Sequence, residues 1–217
     1  MTIFNSVYKS FKEWWQPWAN TIAYYPLTED FNDHSSSWYN LTSNSVQLTT
    51  LSWVKCADLN SSYCSANFNL TSLPYTISFY LKPKSTSNTI AIWFKDNGSR
   101  WGSWIYVKNN QIYLRYWNST DQDSGTSYTI NTNWNHIVVT FWTDGSKIYV
   151  NGSLYASPKN SLTNVVNNWT PFYIWHDYAT TTYWNSYVWS VILENKVRTA
   201  QEISDYYDLT KWDYWIS

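Results

Sequence analysis

Hydrophobic and polar residues follow two different periods along the chain. Near the start, large apolar residues recur every three or four positions, which is the spacing of one face of an α-helix. At 100° per residue they fall within an arc of about 120°, with polar residues opposite. The pattern therefore predicts an amphipathic helix that ends near Gln16, because Pro17 cannot continue it. The apolar face consists of Phe4, Val7, Tyr8, Phe11, Trp14, Trp15 and Trp18.

From Thr21 onward, apolar and polar residues alternate with the period of a β-strand. Asn-Asn and Asp-Gly pairs between the runs are typical of tight turns, so residues 108–111 and 143–146 are each expected to close a hairpin. Many short strands without alternating helices indicate an all-β fold with two packed antiparallel sheets. The predicted strands cover residues 22–26, 75–82, 89–95, 103–107, 111–116, 136–142, 147–150, 172–175 and 187–193.

A second, short helix is expected after the last strand. Thr199 and Glu202 have the spacing of a capping box, in which each side chain accepts a hydrogen bond from the other residue's backbone N–H group. Ile203 and either Tyr206 or Tyr207 would then face inward. We expect one domain, with an amphipathic helical arm over residues 1–20 and a β-sandwich over residues 21–217, a length that suits one all-β unit.

Composition limits the function. Charged residues make up only 13% of the chain, about half the usual share, and 17 Trp and 20 Tyr accompany abundant Asn, Ser and Thr. The net charge of −1 and the lack of a basic stripe argue against nucleic-acid binding. No secretory signal and no membrane-spanning apolar run are visible. This combination predicts a virion or extracellular location.

The two cysteines are separated by seven residues rich in Asn and Ser. A disulfide between Cys56 and Cys64 would close a short loop between strand ends, as expected of a protein outside a cytoplasm. The alternative is two unpaired residues that act as small apolar side chains.

Five stretches resemble, in order, the laminin-G-like jelly rolls of the concanavalin A-like lectin/glucanase superfamily. The resemblance spans about residues 21–209 and implies a two-sheet β-sandwich. Its members include glucanases as well as carbohydrate- and protein-binding modules, so the fold alone does not decide the activity. The stretches are residues 24–27, 75–83, 134–141, 148–152, and 188–193 together with 198–203.

The chain departs from the glucanase members of this superfamily. Those enzymes carry paired carboxylates on one strand, since glycoside hydrolysis needs two carboxyl groups at a defined separation. The nearest pair here, Asp121 and Asp123, lies in a Ser/Thr/Gly-rich segment that is interpreted as a loop. Trp189 stands where many relatives carry an Asp. We therefore expect no enzyme activity.

Several aromatic residues are candidates for a sugar-stacking platform, although aromatic side chains in sheets usually pack in the core or across strands. The candidates are Trp101, Trp104, Trp142, Trp175 and Trp184. No cofactor is expected. Asp30, Asn32 and Asp33 supply oxygen atoms that could begin a calcium site, or they simply form turns, which is the favoured interpretation.

The apolar face of the N-terminal helix has three candidate partners: the sandwich itself, another copy or partner protein, and a membrane interface. Together these features predict a non-catalytic virion surface or capsid-associated protein. It would act in host attachment, by binding a glycan or a surface protein, or in particle assembly with other virion proteins. The alternative is a secreted or cell-surface carbohydrate-binding module.

Overall fold

The structure is a computed structural model that describes most of the chain from residue 19 onward. The predicted N-terminal helix, with Phe4, Val7, Tyr8, Phe11, Trp14, Trp15 and Trp18, lies outside the described residues. Among the described residues, no helix is long and apolar enough to cross a membrane. The described ranges are 19–60, 62–68, 73–85, 89–95, 102–108, 110–117, 121–157, 171–174 and 185–211.

These ranges form an antiparallel β-sandwich, which confirms the predicted fold class. One sheet, called sheet A, has the order β13-β12-β11-β6-β15-β4-β3, with β1 also paired to β15; sheet B has the order β10-β9-β8-β7-β14-β5-β2. The strands are β1 (Thr21–Tyr25), β2 (Thr42–Asn44), β3 (Gln47–Leu51), β4 (Val54–Asn60), β5 (Tyr63–Asn67), β6 (Tyr75–Pro83), β7 (Thr89–Lys95), β8 (Gly102–Lys108), β9 (Gln111–Trp117), β10 (Asp121–Thr129), β11 (Asn135–Trp142), β12 (Gly145–Val150), β13 (Ser153–Ala156), β14 (Pro171–Ile174) and β15 (Asn185–Glu194).

The core lies between the two sheets and follows the alternation of the sequence. Ile137, Val139 and Phe141 of β11 point into it, together with Ile148 and Val150 of β12. All five side chains are fully buried. Each such burial stabilises the fold by about 1.5–3 kcal/mol, so this hairpin is a main contributor to the core, as predicted.

Part of the outer face of sheet A is buried as well, because the C-terminal helix covers it. This helix, α1 (Ala200–Thr210), packs Ile203 against Val138 and Tyr149. The predicted capping box is confirmed: Glu202 N–H donates to the Thr199 hydroxyl at 3.2 Å, and Thr199 N–H donates to the Glu202 carboxylate at 2.7 Å. The chain therefore has three layers at this position.

Several strands were not predicted, namely β2, β3, β4, β5, β10 and β13. Most of them are rich in Ser, Thr and Asn and lack the apolar alternation of a half-buried strand. Asp121 and Asp123 accordingly lie in β10, paired with Trp117 and Arg115 of β9, so their interpretation as a loop was wrong. Partner strands, and not local sequence, hold such segments extended.

The predicted hairpins form, one of them with a different register. Lys108 pairs with Gln111 as expected. At the other turn Trp142 pairs with Gly145, so the turn begins one residue earlier than the predicted segment 143–146. Gly145 adopts φ 147°, which explains why glycine occupies the first position of β12.

The predicted disulfide is wrong, because both thiols are free and buried. Cys56 lies in β4 of sheet A and faces outward, where it packs with Val54 and Tyr80. Cys64 lies in β5 of sheet B and faces the core between the sheets. The chain between them therefore crosses from one sheet to the other instead of closing a loop. Burial raises the pKa of each thiol to about 12.

Candidate binding cleft

A buried carboxylate organises the loop that connects β1 to β2. Asp33 is only 5% exposed. One of its oxygen atoms accepts hydrogen bonds from the N–H groups of Tyr24 at 2.9 Å and Ser35 at 2.8 Å. The other accepts from Tyr39 N–H and from the Ser35 hydroxyl, both at 2.9 Å. Hydrogen bonds to an ionised acceptor are stronger than neutral ones, so Asp33 fixes the path of the loop.

Further contacts attach the end of this loop to the sandwich. The Tyr25 hydroxyl donates to the Tyr39 carbonyl oxygen at 2.6 Å. Asp33 N–H donates to Asn40 Oδ1 at 2.9 Å. The ring of Tyr39 lies 5.2 Å from that of Phe68, and Phe68 belongs to the core. The segment next to Trp38 is thus held from both the strand side and the core side.

Trp38 is the most exposed large apolar side chain among the described residues, at 80%. Its backbone has φ 61°, in the left-handed region that non-glycine residues rarely adopt. Such backbone strain persists where the surrounding structure imposes it, and it is common at functional sites. Here the neighbouring Tyr39 is held by its N–H hydrogen bond to Asp33 and by the Tyr25 hydroxyl on its carbonyl oxygen.

Trp38 stands at one side of a cleft of about 290 Å³. The loop, β2 and β5 line this cleft, which we call the Trp38 cleft. Thr42 pairs directly with Ser65, and Asn67 follows two residues later in β5, so these three side chains share the outer face of sheet B. The lining residues are Trp38, Tyr39, Asn40, Thr42, Ser65, Ala66 and Asn67.

The chemistry of the Trp38 cleft suits binding. A flat indole can stack on an apolar face of a ligand, while hydroxyl and amide groups can both donate and accept hydrogen bonds. A cleft with an aromatic wall and a few convergent polar groups is typical of small-molecule recognition. None of the described residues that line it is an acid or a base suited to glycoside hydrolysis.

The described lining of this cleft includes none of the predicted tryptophans. Trp142 ends β11 in the other sheet, where the Lys147 ammonium group lies 5.4 Å from its ring centroid. Trp104 lies in β8 of sheet B. Trp101, Trp175 and Trp184 lie outside the described residues.

Sequence reasoning missed Trp38. A signal was present, since Trp38 and Tyr39 follow three consecutive serines, and such a polar segment gives a large aromatic side chain little to pack against. An isolated tryptophan in a polar loop is a better candidate for an exposed platform than one in an alternating strand. The tight turn between β3 and β4 carries a second exposed tryptophan, Trp53, with 72% of its surface accessible.

The residues considered for calcium form turns. Asp30 accepts hydrogen bonds from the backbone and side-chain N–H groups of Asn32, at 3.1 and 2.8 Å, and lies 3.0 Å from His34 Nε2. The hydrogen bond with His34 is the main cause that lowers the pKa of Asp30. The two carboxylate oxygens of Asp33 already accept four hydrogen bonds. Over the described ranges, no cluster of three or more His, Cys, Asp or Glu residues could hold a metal ion.

Comparison with known families agrees with this architecture. A family model described as the concanavalin A-like lectin/glucanases superfamily matches residues 58–204, more than half of the chain. The chain therefore belongs to this superfamily, which confirms the resemblance seen in the sequence. No curated protein sequence matches the chain.

Solved structures with the same fold include several binding domains. Domain 4 of AbnA, an extracellular GH43 arabinanase from Geobacillus stearothermophilus in complex with arabinotriose, has a TM-score of 0.73 at 18% identity over 86% of this chain and 97% of that chain. The binding domain of Paraclostridial Mosquitocidal Protein 1 has a TM-score of 0.72 at 18% identity, over 88% of this chain and 52% of that chain. The binding domain of botulinum neurotoxin DC in complex with rat synaptotagmin II has a TM-score of 0.69 at 15% identity, over 87% of this chain and 51% of that chain.

At 15–18% sequence identity, the similarity to these structures shows only that this chain has the same fold. The chain spans nearly all of the arabinanase domain but only about half of the two toxin binding domains. All three are β-sandwich relatives whose names describe a domain of a larger protein or a binding function.

Proposed function

We propose that this chain is a non-catalytic lectin-like module that binds a carbohydrate in the Trp38 cleft. The observation that carries the proposal is an exposed indole on a strained backbone, next to Tyr39 that the buried Asp33 carboxylate holds, beside neutral amides and hydroxyls. The arabinotriose complex of the arabinanase domain supports a carbohydrate as the ligand class.

A sugar ring matches this arrangement in two ways. Its C–H face is apolar and stacks on an aromatic ring, while its hydroxyl groups hydrogen-bond to Asn, Ser and Thr side chains. Because Asp33 holds the loop in place before the ligand arrives, little conformational entropy is lost on binding. Preorganisation of this kind raises affinity without adding contacts.

A glycan array with the full chain tests this function. The protein is produced in bacteria, because Asn40 begins an Asn-Leu-Thr sequon and glycosylation there would place a sugar in the cleft. Binding to a defined glycan that Trp38→Ala reduces by about tenfold or more, equivalent to about 1.4 kcal/mol, supports the proposal. Trp53→Ala is the matched control, since Trp53 is also exposed but does not line the cleft.

Three outcomes would contradict the proposal. The first is a wild-type protein that binds no glycan. The second is equal binding by wild type and Trp38→Ala, which would move the site elsewhere. The third is release of reducing sugar from the bound glycan, which would show that the module is catalytic.

We propose a virion surface as the setting, with host attachment or particle assembly as the role, and a secreted or cell-surface module as the alternative. The low charge and the neutral polar composition support a location outside the cytoplasm. The free cysteines remove the disulfide as an argument for it. Mass spectrometry of purified particles tests this setting; recovery only from cell cytosol would contradict both locations.

A further inference from the structure

We infer that the Trp38 cleft selects an uncharged sugar residue and binds it without a metal ion. This inference rests on the proposed carbohydrate-binding function and specifies the ligand class of that site. It follows from the uncharged side chains of the described residues that line the cleft, and from the hydrogen bonds that already occupy the buried Asp33 carboxylate.

The described lining of the cleft contains no Lys, Arg, His, Asp or Glu. A sialic acid, a uronic acid or a sulfated sugar would lose part of its hydration on entering the cleft, without a cation among the described lining residues to compensate. Recognition of a carboxylate or sulfate usually uses Arg, Lys or a group of converging N–H donors. The cleft offers a neutral indole, a phenol, two amides and two hydroxyls instead.

Two described lysines are paired with carboxylates at the other sheet: Lys55 belongs to β4 and Lys84 directly follows β6, both strands of sheet A. Lys55 Nζ lies 2.8 Å from the Glu29 carboxylate, and Lys84 Nζ lies 2.6 Å from that of Asp58. Neither lysine lines the cleft. These two lysines therefore supply no cation to a ligand in the cleft.

The nearest organising carboxylate does not serve the ligand either. Asp33 is buried, and its two oxygen atoms each accept two hydrogen bonds from the loop. A calcium ion that bridged Asp33 to sugar hydroxyls would have to displace these donors, and the loop that positions Trp38 would lose its anchor. We therefore expect binding that does not depend on calcium.

The uncharged polar side chains of the cleft are placed to form hydrogen bonds with the hydroxyl groups of a sugar. Asn40 Oδ1 accepts Asp33 N–H, which sets the orientation of the amide and turns its Nδ2 donors away from Asp33. Thr42 and Ser65 lie directly opposite each other on β2 and β5, and Asn67 continues the same face. A volume of about 290 Å³ suits a short part of a glycan, since it lies just below the range of about 300–1,000 Å³ for small-molecule sites.

The test compares matched glycans that differ only in charge. Lactose is paired with sialyllactose, and glucose oligomers are paired with their sulfated forms, in an array followed by titration calorimetry. We expect binding to the neutral member of a pair, with at least about tenfold preference over the charged member. The affinity should change less than about twofold between about 50 and about 500 mM NaCl, because no ion pair is screened, and should be unaffected by EDTA.

The outcomes separate this inference from the proposed function. Trp38-dependent binding that prefers the sialylated or sulfated glycan, or that EDTA abolishes, would overturn the inference while leaving carbohydrate binding intact. Absence of binding to every glycan would overturn the function itself. Binding that prefers the neutral glycan, is retained in Trp53→Ala and is lost in Trp38→Ala supports both.

Discussion

The imidazole of His136 stacks on the ring of Tyr80, with centroids 4.6 Å apart and planes inclined by 23°. From the other side, Tyr206 and Tyr207 of α1 lie 5.3 and 6.1 Å away. Both ring nitrogens of His136 are buried without a hydrogen-bond partner within the described part of the chain. Burial lowers the pKa of His136 to about 3, so the ring is neutral in the folded protein at ordinary pH.

This buried histidine predicts acid sensitivity. Its pKa is 6.5 when exposed and about 3 when folded, so below pH 6.5 the unfolded state takes up a proton that the folded state does not. The contribution of neutral His136 to the free energy of unfolding is fully present above pH 6.5. It is lost as the pH falls, by about 1.4 kcal/mol per pH unit. Urea denaturation from pH 7.5 to 4.5 should therefore show a steeper loss of the free energy of unfolding for wild type than for His136→Phe.

A second variant keeps this test independent of any general loss of stability. Val139→Ala removes buried apolar volume from the same strand but no titratable group, so it should be less stable and still retain the wild-type dependence on pH. Equal pH slopes in wild type and His136→Phe would show that His136 is not the responsible group.

Asp33 should matter for both stability and binding. In Asp33→Asn an amide replaces a carboxylate that accepts four hydrogen bonds, so at least one donor loses its partner. We expect a loss of about 1–3 kcal/mol in the free energy of unfolding and weaker glycan binding, because the loop no longer fixes Trp38. Asp30→Asn, at a partly exposed carboxylate, should change stability by less than about 0.5 kcal/mol.

The backbone strain at Trp38 can be measured with two substitutions. Glycine adopts the left-handed region freely, whereas an alanine there costs about 1–2 kcal/mol. At φ 61°, Trp38→Gly should therefore be more stable than Trp38→Ala by about 1 kcal/mol, reduced by the greater freedom of glycine in the unfolded chain. Both should lose glycan binding. A less stable glycine variant would argue against strain at this position.

The free cysteines should be unreactive in the folded protein. Burial raises the pKa of Cys56 and Cys64 to about 12, so neither forms much thiolate at neutral pH. We expect slow alkylation under native conditions and two alkylated thiols after denaturation without reductant, measured by intact mass. A protein whose thiols alkylate only after reduction would restore the disulfide.

Trp104 remains a predicted glycan contact, and the backbone register suggests how to test it. Across the neighbouring strands β8, β7, β14 and β5, the backbone of Trp104 is in register with Trp93, Tyr173 and Ser65, and Ser65 lines the Trp38 cleft. A ligand that reached Trp104 from the cleft would have to extend across these strands. Trp104→Ala should therefore weaken binding of longer oligosaccharides more than that of short ones. Equal effects on both lengths, or none, would remove Trp104 from the site.

The alternation of apolar and polar residues was sufficient to predict a strand where that strand buries one apolar face. Residues 89–95 were predicted as a strand with the same bounds as β7, and residues 136–142 differ from β11 by one residue. It failed at β10, where DQDSGTSYT has no apolar alternation and pairing with β9 decides the conformation. It also failed to locate the cleft, because Trp38 meets Ser65 and Asn67 only through the pairing of β2 with β5.

The sequence by itself determined the sandwich and the capped C-terminal helix, because strand alternation and the capping box act between residues close in the chain. Only the tertiary structure decided which surfaces are covered and which side chains meet. It placed α1 over His136, separated Cys56 and Cys64 on different sheets, and exposed Trp38 beside β5. These outcomes depend on contacts between segments far apart in the chain, and local periodicity carries no information about such contacts.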